Sequence, residues 1–278
     1  MTWWAIDVRT PAEARERLGA WLVARTGQAV EERDDGTLVT FAPDEQAAEE
    51  LIAEIARTAP GVTPQATRRR IEPVDWTTRW RDGLGARRFG RLTVTPSWAA
   101  EPPDAAGPVV VLDPETAFGS GEHGSTRVAL ALLEQLARPG DTVLDLGSGS
   151  GILAIAAAKL GAARAIGIEV DAEANVVAGR NASRNTVEST VEFLDGDARD
   201  LAPLLGPVDL VLSNILRSAN TALLPAIADA LRPAGLAIFS GMEVAEAPLF
   251  LPALASSGFT AIHERSDTGW WGVAARRE

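Results

Sequence analysis

The sequence predicts an α/β protein: a doubly wound, mostly parallel sheet from residue 109 to residue 278, preceded by a small α+β domain. Three observations carry this. From residue 109 onward, short apolar strands alternate with helical segments, and the strands are apolar enough for a sheet covered on both faces. The chain ends in FTAIHER and WWGVAARR, joined only by Ser266-Asp267-Thr268-Gly269, which is too short for a crossover helix and implies an antiparallel hairpin at the sheet edge. Before residue 72 the order is strand, helix, strand, strand, helix, strand, which is that of a ferredoxin-like domain.

Residues 3–9 (WWAIDVR) alternate like a short strand, and 11–26 read as an amphipathic helix with Pro11 at its start and Gly27 after its end. QAVEER and TLVTFA, separated by Asp34-Asp35-Gly36, read as a hairpin. Asp44 is the expected N-cap of a second helix over 44–58, and an extended stretch near 64–72 completes the domain, assigned to residues 1–66. Residues 67–108 read as a connector. It holds Arg68, Arg69, Arg70, Arg79, Arg81, Arg87, Arg88 and Arg91 against Glu72, Asp75 and Asp82, with Trp76, Trp80 and Trp98 in or just beyond the basic stretch. A partner-binding surface and packing against the joined domains both fit such a stretch; packing is favoured, because Trp in a connector usually buries. The Pro-rich residues 101–108 end it.

In the third part, 109–278, the strands are TVLDL (142–146), RAIGI (164–168), TVEFL (190–194), VDLVLS (208–213) and GLAIFS (235–240). Helical segments near 126–137, 150–160, 171–184, 219–231 and 245–257 separate most of them. With the terminal hairpin this makes a seven-stranded Rossmann-like sheet.

Composition narrows the chemistry. The 278 residues are 46% apolar and 23% charged. No run of about 18 apolar residues occurs, and the N-terminus lacks a basic segment followed by an apolar one, so neither a membrane span nor a secretory signal is expected and the cytoplasm is the expected location. Cys is absent, which excludes disulfides, thiolate catalysis and cysteine–zinc sites. His123 and His263 are too few for a histidine-rich metal cluster, so no metal is expected, and His263 reads as an ordinary strand residue. A net charge of −12 argues against general nucleic-acid binding and suits a basic partner. A monomer is expected.

The strongest local signal is Asp145-Leu146-Gly147-Ser148-Gly149-Ser150-Gly151, directly after a strand and before a helix. The glycines (Gly147, Gly149 and Gly151) allow a tight turn and close approach of a ligand to the backbone. Position 152 is Ile, which breaks the dinucleotide fingerprint, and no Gly-Lys-Ser/Thr follows to cradle a phosphate. Asp145 at the strand's carboxyl end would repel a pyrophosphate but attract a ligand bearing a sulfonium and an ammonium; S-adenosylmethionine is such a ligand. Glu169, ending the second strand, can accept from ribose hydroxyls, and Asp197, after the third, from an adenine amino group. Each of these acids can equally cap the helix that follows it.

At the end of the fourth strand, Asn214 and a neighbouring backbone carbonyl can hold the hydrogens of an acceptor amine and aim its lone pair. An Asx-turn is the structural alternative. The glycine-punctuated loop from Asp113 to Thr126, with Phe118 and Gly119, reads as a lid over the cofactor. Thr126 either touches the cofactor or caps the 126–137 helix, and His123 either helps position or deprotonate the acceptor or is structural.

These residues together resemble the bacterial ribosomal protein L-eleven methyltransferase family (PrmA). DPETAFGSGEHGST is similar to that family's loop before the cofactor domain, TVLDLGSGSGILAIAAAKLGA to its glycine motif and first helix, and RAIGIEVD and LVLSNIL to its second and fourth strand ends. The connector VDWTTRWRDGLGARRFGRLTVTPSW is also similar, and methyltransferases at large do not share it. The resemblance implies methylation, from S-adenosylmethionine, of lysine side chains and the N-terminal amine of a basic ribosomal stalk-base protein held by the small N-terminal domain. Carried over, the family's cofactor contacts fall on Thr126, Gly147, Glu169 and Asn214. Position 169 is Glu where the family usually has Asp, the loop reads GSGEHGST where Thr and Pro are common, and Arg217 stands where a small residue is common. A methyltransferase for another protein lysine or a small amine, and a non-catalytic cofactor-binding adaptor, are the alternatives.

Overall fold

The computed structural model describes residues 3–27, 30–33, 35–58, 65–70, 85–99, 107–113, 115 and 117–278. The chain divides into two compact units, Met1–Arg79 and Trp80–Glu278.

In the first unit, β1 (Trp4–Arg9) is followed by α1 (Ala12–Thr26), which starts after Pro11 and stops at Gly27. The left-handed Gly27, φ 67°, returns its N–H to the Val23 carbonyl. β2 (Glu31–Glu32) and β3 (Leu38–Ala42) form the expected hairpin. α2 (Glu45–Thr58) is capped by Asp44, whose Oδ1 accepts from the Ala47 N–H at 2.8 Å, and β4 (Gln65–Arg70) closes the set. The order β2-β3-β1-β4, antiparallel throughout, is that of a ferredoxin-like sheet. Its core joins Ile6 and Val8 to Leu22 of α1, Leu38 of β3 and Ile55 of α2.

The described residues of the 67–108 stretch do not form a separate connector. Arg68, Arg69 and Arg70 lie in β4, where Arg68 pairs with Glu45 at 2.9 Å and Arg69 with Asp7 at 3.3 Å: strand alternation sends these charges to acids already in the unit. Trp98, expected to be buried, lies exposed in a turn. Arg79, Arg81, Trp76 and Trp80 fall outside the described residues.

The second unit opens with β5 (Arg87–Phe89), β6 (Leu92–Thr95) and β7 (Val109–Val111), a three-stranded sheet of its own. α3 (Gly124–Leu136) follows. Then β8 (Thr142–Leu146), α4 (Ile152–Lys159), β9 (Arg164–Glu169), α5 (Ala172–Arg184), β10 (Val191–Asp195), α6 (Ala198–Leu205), β11 (Val208–Asn214), α7 (Arg217–Ala230) and β12 (Leu231–Glu243) alternate. α8 (Ala247–Ser256) leads into the hairpin of β13 (Phe259–Asp267) and β14 (Trp270–Arg277). The seven-stranded sheet runs β10-β9-β8-β11-β12-β14-β13, parallel except for the hairpin. The hairpin turns on Thr268 and Gly269, both at positive φ (46° and 85°), the pairing a two-residue hairpin turn requires. Among the described residues no helix is long and apolar enough to cross a membrane.

Strand alternation decides what each face of the sheet carries. Val143 of β8 and Leu210 and Leu212 of β11 pack with α3 and α4 on one face; Leu144, Leu146 and Val211 pack with α7 and α8 on the other. Asp145 therefore lies on the α4 face with Val143, and Asn214 on the α3 face with Leu212. Ser213, one residue earlier, faces α7.

Candidate active site

The carboxyl ends of β8, β9 and β11 open onto a cavity of about 740 Å³, within the range of small-molecule sites. Gly147 and Gly149 line it with left-handed backbones, φ 71° and 52°. A Cβ on Gly149 would lie 2.7 Å from the Phe118 carbonyl oxygen, and one on Gly147 would lie 2.7 Å from Ile215 Cγ2. Only glycine fits either place. Ser150 ties this turn to the upstream loop: its N–H donates to the Phe118 carbonyl at 2.9 Å and its Oγ to the Gly119 carbonyl at 2.7 Å. Asn181 of α5, fully buried, anchors the same loop by accepting from the Asp113 N–H at 3.1 Å and donating to the Ser150 carbonyl at 3.0 Å.

At the end of β9, Glu169 lines the cavity with its carboxylate pinned by backbone. Oε2 accepts from Gly149 N–H at 3.0 Å, and Oε1 accepts from Val170 and Asp171 N–H at 2.8 and 3.1 Å. Ile168 and Val170 flank it, and Ile215, Leu216, Ala219 and Leu223 wall the opposite side.

Asn214 also lines the cavity. Its Nδ2 donates to Thr126 Oγ1 at 3.3 Å, whereas its buried Oδ1 has no hydrogen-bond partner among the described residues. The loop after it is locked by Asn220 of α7, fully buried. Asn220 Oδ1 accepts from Ser213 Oγ at 2.7 Å, and Nδ2 donates to the Ile215 and Ser240 carbonyls at 3.0 and 2.9 Å. Across the mouth stand Phe118, His123 and Trp270. The His123 ring lies 4.3 Å from that of Trp270 and 5.4 Å from that of Phe118, and its Nδ1 is 2.7 Å from Ser125 Oγ. Burial and the Arg127 charge hold the His123 pKa below its ordinary value.

The structure thus brings Phe118, His123, Gly147, Gly149, Glu169, Asp197 and Asn214 to one cavity. Four other candidates stand behind it. Asp145, expected to meet a cation directly, is instead buried under the turn, accepting from the Ala154 N–H at 3.0 Å, and burial pushes its carboxyl up to about 7. Gly151 is a packing glycine whose Cβ would meet Phe193 at 2.6 Å. Thr126 is fully buried in the first turn of α3, whose N-cap is His123, so it supports Asn214 rather than capping. Gly119 contributes its carbonyl to Ser150. Asp197 does cap α6, through the Arg199 N–H at 2.8 Å, and the Arg199 guanidinium holds its carboxyl down at about 2. Trp270, Arg199 and Asn220 are site residues that the sequence motifs do not mark. Trp270 had one signal, an aromatic directly after a Gly-containing hairpin turn.

Comparison with known proteins places this geometry. The family model described as ribosomal protein L11 methyltransferase (PrmA) matches residues 6–278. The chain belongs to this family. The ribosomal protein L11 methyltransferase of Pelotomaculum thermopropionicum is 37% identical over 275 residues, covering 99% of this chain and 83% of that protein. That of Geobacter metallireducens is 34% identical over 296 residues, covering 97% and 96%. A crystal structure of ribosomal protein L11 methylase from Lactobacillus delbrueckii subsp. bulgaricus matches with a TM-score of 0.63 at 31% identity, covering 70% of this chain and 100% of that one. As a member of the PrmA family the chain is a methyltransferase whose methyl donor is S-adenosylmethionine. The residues present fit that donor: two glycines that leave the backbone open, a carboxylate at the second strand end, apolar walls and an unpartnered buried carbonyl.

Proposed function

We propose that this chain methylates amines of ribosomal protein L11, lysine side chains and the N-terminal amine, at the cavity beside Asn214. The observation that carries the reading is the Asn214 amide. Thr126 takes one of its hydrogens, and its buried carbonyl oxygen has no donor among the described residues. A buried carbonyl left so costs about 1–3 kcal/mol, which an acceptor N–H would recover.

Gly147 and Gly149 give the cofactor close approach to backbone, and Glu169, fixed by three N–H groups, presents its remaining lone pairs to ribose hydroxyls. Bound there, S-adenosylmethionine supplies a sulfonium-borne methyl group that an incoming lone pair displaces. Asn214 Oδ1, with a backbone carbonyl of the Ile215 loop, accepts the acceptor's N–H hydrogens and leaves its lone pair directed across the cavity. His123, kept neutral, adds no positive charge to repel a cationic amine and stands with Phe118 and Trp270 as the apolar wall of the acceptor side. Among the described residues the titratable groups lining the cavity are His123, Glu169, Asp197 and Arg199, and the two acids are already engaged, so neither carboxylate serves as base for the acceptor.

The unit Met1–Arg79 is assigned to holding the protein substrate, and a net charge of −12 suits a basic partner rather than nucleic acid. The test is incubation with isotopically labelled S-adenosylmethionine and purified L11, with added methyl groups mapped by mass spectrometry. Label on lysine or the N-terminal amine is expected. Cofactor binding without transfer to L11, but with transfer to another acceptor, would overturn the substrate.

A further inference from the structure

The cavity mouth is tied together by Arg127, in the first turn of α3, whose N–H donates to the His123 carbonyl at 3.0 Å. Its guanidinium reaches two separate segments. Nε and Nη2 donate to Asp267 Oδ2 and Oδ1 at 2.7 and 3.1 Å, and Nη2 also donates to Thr268 Oγ1 at 2.8 Å. Nη1 donates to the Glu122 carbonyl at 2.5 Å. The Glu122 carboxylate is in turn held by Arg87 of β5, at 2.7 Å from its Nε. Asp267 ends β13 and Thr268 opens the hairpin turn, two residues before Trp270 begins β14. Gly124, next to His123, must be glycine for this approach, since a Cβ there would lie 2.4 Å from the Trp270 ring.

We infer that Arg127 is a positioning residue for methyl transfer: by clamping the Glu122 loop and the Asp267–Thr268 turn to α3, it sets His123 and Trp270 at the acceptor side of the cavity. Exposed ion pairs contribute little, but this one is two-pronged and its arginine side chain is only 18% exposed, so it holds a geometry. Lysine cannot replace it, because one ammonium lacks the planar fork that spans both segments. Arg127 bonds to the His123 carbonyl and to the segment before Trp270, and to neither the glycine turn nor Glu169, so its loss acts on the acceptor side rather than on the cofactor.

The inference rests on the acceptor lying beside Asn214, and the experiment separates the two claims. Full-length Arg127→Gln, Arg127→Lys, Asp267→Asn, the Arg127→Gln/Asp267→Asn double variant and Asn214→Ala are assayed with S-adenosylmethionine and L11. Cofactor affinity is measured separately by calorimetry. Arg127→Gln is expected to lower kcat/KM for L11 about tenfold or more with cofactor Kd changed by less than about twofold, since small misplacements near reacting atoms are costly. Arg127→Lys is expected to lose nearly as much, and the double variant no more than Arg127→Gln alone, because both break one clamp. Retained kcat/KM in Arg127→Gln, additive losses in the double variant, or cofactor affinity falling in step with kcat/KM each overturns the inference. Full activity in Asn214→Ala would instead overturn the placing of the acceptor.

Discussion

Asn220→Ala tests whether one buried amide sets the acceptor side of the site. Asn220 is fully buried and makes three hydrogen bonds, to Ser213 Oγ, the Ile215 carbonyl and the Ser240 carbonyl, at 2.7, 3.0 and 2.9 Å. Each net bond contributes about 0.5–1.5 kcal/mol, and the groups left unpaired carry a desolvation cost of about 1–3 kcal/mol apiece, eased where water enters the small gap. The expected loss is about 3–5 kcal/mol of stability in the unit Trp80–Glu278, which at roughly 2–4 °C per kcal/mol lowers its melting temperature by about 6–20 °C. Because the bonds to Ser213 and Ile215 hold the residues on either side of Asn214, kcat/KM for L11 should fall at temperatures where the variant is still folded. Scanning calorimetry and steady-state kinetics at 20 °C, with circular dichroism to show the variant folded, check both. A loss under about 1 kcal/mol with unchanged kcat/KM would refute the view that this amide organises the loop.

Gly149→Val should abolish cofactor binding in titration calorimetry while the chain still folds, because the added atoms collide with the Phe118 carbonyl and the backbone is held at positive φ; micromolar binding by the variant would contradict the cradle. Activity should climb roughly tenfold per pH unit between pH 7 and 9, since a lysine amine with pKa about 10.4 must lose its proton and the cavity's carboxylates are engaged; a flat profile would mean that the site itself depresses the amine's pKa. Asp145→Asn bears on stability. The folded protein keeps the Asp145 proton up to about pH 7 while the unfolded chain sheds it near 3.8, so the wild type loses stability as pH rises between those values. The variant, lacking that slope, should gain on the wild type across the same window by up to about 4 kcal/mol in denaturant unfolding. A constant difference from pH 4 to pH 7 would show that Asp145 ionises freely.

Much of this was legible in sequence because it is local. Pro11, Gly27 and Asp44 mark helix ends by mechanisms that depend only on neighbours, and the structure uses all three. The strand–glycine turn–helix at 142–159 and the hairpin at 259–277 follow from periodicity and linker length. α6 escaped because it is only 8 residues long and contains Pro203. Asp145 was placed at the right end of the right strand, but period-2 alternation, fixed by which face α4 covers, turns it into the interior. Asn214 was recognisable at its strand end, while its partner Thr126 lies 88 residues away and no local pattern links them. Trp270, Arg127 and Asn220 belong to the site only through tertiary contacts, across 140 residues in the Arg127–Asp267 pair. The acidic partners of the arginines at 68–70 are invisible in the sequence, because Asp7 and Glu45 reach them only once β4 pairs with β1 and lies beside α2.

The central claim is that Asn214 orients the acceptor while the glycine turn and Glu169 hold the donor. Its most direct test compares Asn214→Ala with the wild type in two assays on the same preparation: kcat with L11, and cofactor Kd by calorimetry. The account predicts that kcat falls about a hundredfold, as loss of orientation allows, while Kd moves by less than about threefold. A kcat within about twofold of the wild type, or a Kd that weakens in proportion to kcat, would contradict it.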